Sequence, residues 1–240
     1  MRRRALIPVL LALGSLLAAA ASAGTADAPV LSDARTAAAA GLVDIRTRVP
    51  DIAEDIRYAG RDNFVGAPVD GYLAAKCLLL APAADALARV ERQLRTRHLR
   101  LKIWDCYRPA RAVAHFVRWA HDPGDLRTRA QHYPQLQKSQ LLGDYIAPVS
   151  GHSRGATVDL TLLRCADGDC TALDMGTGFD FFGARAHTDA ASITAQQRAN
   201  RRLLVEAMAR QGFRNYPLEW WHYTLQPEPA AAVIFDVPVQ

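Results

Sequence analysis

The run Ser150-Gly151-His152-Ser153-Arg154-Gly155-Ala156-Thr157-Val158-Asp159 sets an imidazole and a carboxylate on either side of a glycine-containing turn. Far downstream, Glu219-Trp220-Trp221-His222 adds a second imidazole, with a carboxylate three residues before it. Two imidazoles and one carboxylate, His152, Asp159 and His222, make a three-ligand zinc set, which leaves a fourth position open for water. Glu219 is placed to take a proton from that water as general base. Three protein ligands, an open position and a nearby base describe hydrolytic chemistry rather than structural zinc. The remaining histidines, His98, His115, His121, His132 and His187, have no such context and default to solvated or structural roles, with His187 placed near the site.

These residues need a frame. Leu87, Val90 and Leu94 recur at helical spacing and predict a helix over 83–97. Leu99, Leu101 and Ile103 alternate with Arg100 and Lys102, the pattern of a half-buried strand that delivers Asp105-Cys106-Tyr107-Arg108 to its end. Pro109 can open the next helix, with Val113, Phe116, Val117 and Ala120 on one face. The polar stretch 122–144 reads as a long surface excursion. Val158, Leu160 and Leu162 alternate with Asp159 and Thr161, which turns Asp159 away from the leucines. Gly151 and Gly155 supply the bend that lets His152 reach the same ion. A last helix over 195–211 carries a capping box, Thr194 with Gln197, and a stop at Gly212. Leu218 to Leu225 forms a strand bearing His222; Glu219 and His222 then fall on opposite faces of an ideal strand, so a local twist is required. Helices interspersed with hairpin-like strands predict an α+β domain with an antiparallel sheet as the floor of the site.

Six ordered segments resemble the zinc D-alanyl-D-alanine dipeptidases, a branch of the DD-peptidase and hedgehog-like metallopeptidases. The first motif is complete in Ser150, His152, Gly155, Ala156 and Asp159, and the second is Glu219-Trp220-Trp221-His222. The others are Asp55-Ile56-Arg57-Tyr58-Ala59 with Asp62-Asn63-Phe64-Val65-Gly66, then Val69-Asp70-Gly71-Tyr72, Asp105-Cys106-Tyr107-Arg108-Pro109, and Met175-Gly176-Thr177-Gly178-Phe179-Asp180-Phe181. The resemblance implies one zinc per chain and makes Arg108 an oxyanion stabiliser, a role that residue type alone does not assign in an arginine-rich chain. It also places Asp180, with Ser150 and Tyr58, around the substrate's amino end. Phe179, Phe181 and Phe182 read as wall and core.

The first 23 residues read as a cleaved signal peptide: Arg2, Arg3 and Arg4, an apolar run from Ala5 to Ala20, then Ala21-Ser22-Ala23. The rival is an uncleaved N-terminal anchor. Cleavage lowers the formal charge from +5 to +2 by removing three arginines, so the basic balance is not a nucleic-acid footprint. Residues 24–40 read as a flexible lead-in and 41–240 as one catalytic domain. Four cysteines in an exported chain predict two disulfides among three connectivities. Cys165–Cys170 and Cys77–Cys106 are favoured over a cysteine metal site, because no C-x-x-C pair exists.

The expected function is a periplasmic or secreted zinc dipeptidase that hydrolyses D-Ala-D-Ala, a small-molecule partner, in salvage or wall recycling. No nucleic-acid partner and no stable membrane anchor after cleavage are expected. The rivals are a D,D-carboxypeptidase or peptidoglycan hydrolase on the same scaffold, and a zinc-retaining binding protein without activity. Glu219 argues against the last, since a pure binder needs no base.

Overall fold

A computed structural model describes residues 28–240. The export segment read from residues 1–23 lies outside them. Ten short strands and four helices follow in the order β1 (Val30–Leu31), β2 (Leu42–Asp44), β3 (Ala53–Glu54), β4 (Leu78–Leu80), α1 (Ala81–Arg95), β5 (Leu99–Asp105), α2 (Ala110–Ala120), α3 (Arg129–His132), β6 (Thr157–Ala166), β7 (Asp169–Ala172), α4 (Ala195–Ala209), β8 (Phe213–Asn215), β9 (His222–Leu225) and β10 (Val233–Ile234). The main sheet runs β3-β5-β6-β9-β8, with β7 also paired to β6. It is antiparallel except where β3 lies parallel to β5. The fold is α+β, a single domain around one core.

Strand β6 is the spine. Its residues from Thr157 to Leu163 are buried, so the alternation read from the sequence separates two covered faces rather than core from solvent. Val158, Leu160 and Leu162 occupy one face and Asp159 and Thr161 the other. Beyond Leu163 the strand leaves the core and turns at Asp167-Gly168, both at positive φ, into β7. An Asp-Gly pair suits a two-residue hairpin turn because both central residues must adopt that conformation. Cys165 and Cys170 pair across this hairpin, and Cys77 bonds Cys106. These are the two pairings favoured from the sequence.

Helix α4 starts where its capping box predicts: Thr194 Oγ1 accepts from the Gln197 amide, and the Gln197 side chain returns to the Thr194 amide. Leu204, Ala207 and Met208 are buried beneath it. Helix α2 begins directly after Pro109 and buries Val113, Phe116 and Ala120.

Two expectations change. Part of the lead-in is structured: β1 pairs in parallel with β10, Ala34 and Ala37 pack on the core, and Ala40 is buried. β1 and β10 make a separate two-stranded sheet in which Val30 and Leu31 stay exposed, so backbone pairing and the small alanines hold this segment. The 122–144 excursion also sends His132, Tyr133, Lys138 and Leu141 inside. Lys138 offsets part of its burial penalty by donating to the carbonyls of Trp119 and Asp122, so α2's C-terminal end is closed by a lysine.

Candidate active site

His152 sits in a short 3-10 turn, Gly151–Arg154, that enters β6. Ser150 caps this turn by accepting from the His152 amide, so its hydroxyl serves first to hold the ligand loop. Gly155 ends the turn at φ +73°, and a Cβ there would lie 2.9 Å from a Leu42 methyl and 3.1 Å from Leu80. Only glycine meets both demands. The chain then runs straight into Thr157–Asp159, opposite Thr224–His222 of β9 in register. Sheet pairing therefore brings Asp159 to His222, and the turn swings His152 onto both.

The three side chains converge. His152 Nε2 lies 3.3 Å from Asp159 Oδ2 and 3.2 Å from His222 Nδ1, and His222 Nδ1 lies 3.1 Å from Asp159 Oδ1. Both His152 and Asp159 are buried. His152 Nδ1 donates to the Cys106 carbonyl at 2.7 Å, which leaves its Nε2 lone pair facing the cluster. Burial lowers the His222 imidazole. Among the described residues this is the one cluster of histidine, cysteine or acidic groups arranged to hold a metal ion.

Glu219 comes from the turn before β9, not from a strand. Its carbonyl accepts from the His222 amide at 3.2 Å, and Asn215 Nδ2 donates to the carbonyls of both Glu219 and His222 at 3.0 Å. The expected opposition of faces does not arise, because the chain is still turning at Glu219. Its carboxylate Oε2 stands 3.4 Å from His222 Nδ1. Burial, then the charges of Asp159 and Asp180, push the Glu219 carboxyl well up, against the pull of Arg108.

Arg108 is gripped from several sides. Its Nε and Nη2 bond Asp105 Oδ2 at 3.0 and 2.9 Å, and Nη2 lies 3.5 Å from Asp159 Oδ2. Its guanidinium carbon is 5.0 Å from the ring centres of both Tyr58 and Phe116. Asp105 also accepts from Tyr72 at 2.5 Å. Asp180, at φ 57° and 3% exposed, accepts from the Tyr58 hydroxyl at 3.1 and 3.0 Å. Its backbone carbonyl accepts from His132 Nδ1 at 3.0 Å. Phe179 stacks on Trp104 and meets Trp221 edge-on, while Phe182 lines the pocket, as a wall requires.

All eight predicted chemical residues, Tyr58, Arg108, Ser150, His152, Asp159, Asp180, Glu219 and His222, line one cavity of about 260 Å³. Tyr145 and Tyr216 close another side; Tyr145 meets His187 Nε2 at 3.2 Å, which puts His187 behind the wall. Sequence reasoning missed Asp105, His132, Asn215 and both tyrosines. Asp105 lay inside a quoted motif and was the one with a visible signal: a carboxylate three residues before an arginine.

A buried two-imidazole, one-carboxylate cluster with a further carboxylate and a guanidinium at its rim defines, on this α+β frame, a hydrolase. Residues 38–240 match the family described as D-ala-D-ala dipeptidase. The D-alanyl-D-alanine dipeptidase of Streptomyces coelicolor is 44% identical over 80% of this chain and 94% of its own length. That of Enterococcus faecium is 40% identical over 78% and 92%, and that of Escherichia coli 34% over 81% and 90%. The chain belongs to the D-ala-D-ala dipeptidase family.

Proposed function

We propose that this chain is an exported zinc dipeptidase that hydrolyses D-Ala-D-Ala to two D-alanines. The observation that carries the reading is the convergence of His152, Asp159 and His222 on one point, with Glu219, Arg108 and Asp180 facing the same cavity. The donor set fits zinc. Asp159 Oδ1 is buried and accepts no hydrogen bond, although His222 Nδ1 stands 3.1 Å away, and the His152 Nε2 lone pair faces the carboxylate's other oxygen at 3.3 Å. A buried carboxylate oxygen left without a donor is costly unless a cation meets it. His152, Asp159 and His222 would hold one zinc per chain, which supplies Lewis acidity to the scissile carbonyl and the hydrolytic water.

The chain's own residues do the rest. Glu219 takes one proton from the attacking water on its carboxylate and returns it to the amide nitrogen as the C–N bond breaks. The products are one free carboxylate and one free amine. Arg108, held by Asp105, stabilises negative charge as it develops on the carbonyl oxygen. Asp180, fixed by Tyr58, receives the substrate ammonium, and Ser150 keeps His152 in place. Names of the relatives and the cavity's size both support a short substrate. The signal pattern of residues 1–23 supports work in the periplasm, where released wall dipeptide is available for salvage.

Incubating zinc-loaded protein with D-Ala-D-Ala, L-Ala-L-Ala and a muropeptide, and following product by mass spectrometry, tests this. D-Ala-D-Ala is expected to be the preferred substrate. Cleavage of the muropeptide alone would overturn the proposal.

A further inference from the structure

We propose that the Cys77–Cys106 disulfide is a positioning cross-link for the active site, fixing the carbonyl that sets the His152 tautomer and the loop that presents Arg108. The inference rests on the hydrolytic roles proposed above for those two residues. A carbonyl oxygen cannot donate, so the 2.7 Å bond from His152 Nδ1 to Cys106 O keeps the proton on Nδ1 and frees Nε2. Such outer partners fix both the tautomer and the ring direction of a ligating histidine. Asp105 Oδ2, at 3.4 Å from the same Nδ1, adds negative charge on that side.

Cys106 itself has little sheet to hold it. Strand β5 ends at Asp105, and its register with β6 already shifts between Ile103 and Asp105. From there the backbone is tied by the Tyr107 amide to the Leu78 carbonyl at 2.9 Å and by a longer contact from the Arg108 amide to the His152 carbonyl at 3.3 Å, while the Tyr107 hydroxyl bonds the Val237 backbone on the far side. The disulfide joins this segment to Cys77, whose own carbonyl accepts from the Ile45 amide at 3.0 Å. Both cysteines are buried, at 0% and 1% exposure. The covalent tie therefore grips the chain between Asp105 and Arg108, the two partners of the guanidinium–carboxylate pair. Cys165–Cys170 lies at the exposed end of the β6–β7 hairpin and touches none of these groups, which makes it an internal control.

The test compares wild type, C77A/C106A and C165A/C170A. Nitrogen NMR of the metal-free proteins reads the His152 tautomer without any substrate. Wild type and C165A/C170A are expected to show Nδ1–H alone, and C77A/C106A a mixture. In the zinc-loaded enzymes, kcat on D-Ala-D-Ala is expected to fall roughly 10- to 100-fold in C77A/C106A, the range for losing an outer-shell partner. KM is expected to move little, and the hairpin variant to match wild type. A single tautomer together with wild-type kcat in C77A/C106A would overturn the inference. Should the double variant not fold, C106A alone is read the same way. Should that fail too, stepwise dithiothreitol reduction of wild type decides, with circular dichroism confirming a retained fold. The tautomer signal is expected to change in step with the buried bond and not with the hairpin bond; no change on its reduction refutes the inference. If wild type fails to cleave D-Ala-D-Ala, the dipeptidase reading falls while the tautomer comparison still stands.

Discussion

The Glu219 carboxylate stands 3.4 Å from His222 Nδ1, three residues away on a turn that Asn215 clamps through two backbone carbonyls. Base and ligand are thus built by one loop. Glu219→Ala removes the proton acceptor without touching His152, Asp159 or His222. It should keep its zinc and lose hydrolysis by at least about 10²-fold, the lower range for general-base catalysis. Elemental analysis beside steady-state kinetics checks both halves. Loss of zinc along with activity would make Glu219 a ligand instead.

Metal content itself follows from the cluster. His152→Ala and His222→Ala each leave two donors, too few to hold zinc against dialysis. Wild type should retain about one zinc per chain after the same treatment. Full occupancy in both variants would sink the ligand assignment. Chelation of wild type should abolish activity and restored zinc should return it.

Arg108 is held before any substrate arrives, by Asp105 on one side and the Tyr58 and Phe116 rings on the other. A preorganised guanidinium acts mainly where charge develops. Arg108→Ala should retain zinc and lose roughly 10²- to 10³-fold in kcat. If KM rises while kcat holds, Arg108 anchors the ground-state substrate instead.

His132 gives a pH signature. Burial lowers its imidazole below the ordinary value, while its Nδ1 donates to the Asp180 carbonyl. A folded pKa below the unfolded one favours the neutral ring. Its contribution to stability is full above about pH 6.5 and is lost as pH falls through the folded value. Urea midpoints should therefore decline below about pH 6.5, and His132→Asn should flatten that decline relative to wild type. Parallel pH curves for the two proteins would remove His132 as the cause.

The sequence made some of this legible and hid the rest for physical reasons. Leu99, Leu101 and Ile103 alternate because β5 has one face on the core, and Thr194 with Gln197 caps α4 through bonds only three residues long. Local signals of that kind are readable. His152 and Asp159 were readable because their spacing spans one turn and one strand entry. Asn215 was not, because an asparagine's carbonyl partners depend on where β8 meets the Glu219 turn. Nor was the burial of Lys138 and His132: a polar segment looks exposed until distant carbonyls satisfy it. The strand expected from Leu218 begins only at His222: Leu218, Trp220 and Trp221 suggest a strand, but the bonds from the Glu219 amide to the Tyr216 carbonyl and from the His222 amide to the Glu219 carbonyl keep the chain turning.

Substrate size is the sharpest remaining prediction. The cavity of about 260 Å³ has Asp180 on one wall, its carboxylate oxygens paired with the Tyr58 hydroxyl and 3% exposed. A free dipeptide brings an ammonium to that carboxylate. An acetylated dipeptide brings a neutral amide and extra bulk, and leaves Asp180, whose carboxyl is pushed well up by burial and by the charge of Asp159, without the ammonium that favours its ionised form. A site built to pair a polar group rejects an analogue lacking it by about 10⁴- to 10⁵-fold. D-Ala-D-Ala should therefore be cleaved while N-acetyl-D-Ala-D-Ala and a pentapeptide stem ending in D-Ala-D-Ala are left intact. Asp180→Ala should raise KM for the free dipeptide and shrink its advantage over the acetylated one. Competition assays with both substrates in one vessel, read by mass spectrometry, give the ratio directly. Efficient release of a single D-alanine from the pentapeptide would replace the dipeptidase reading with a carboxypeptidase.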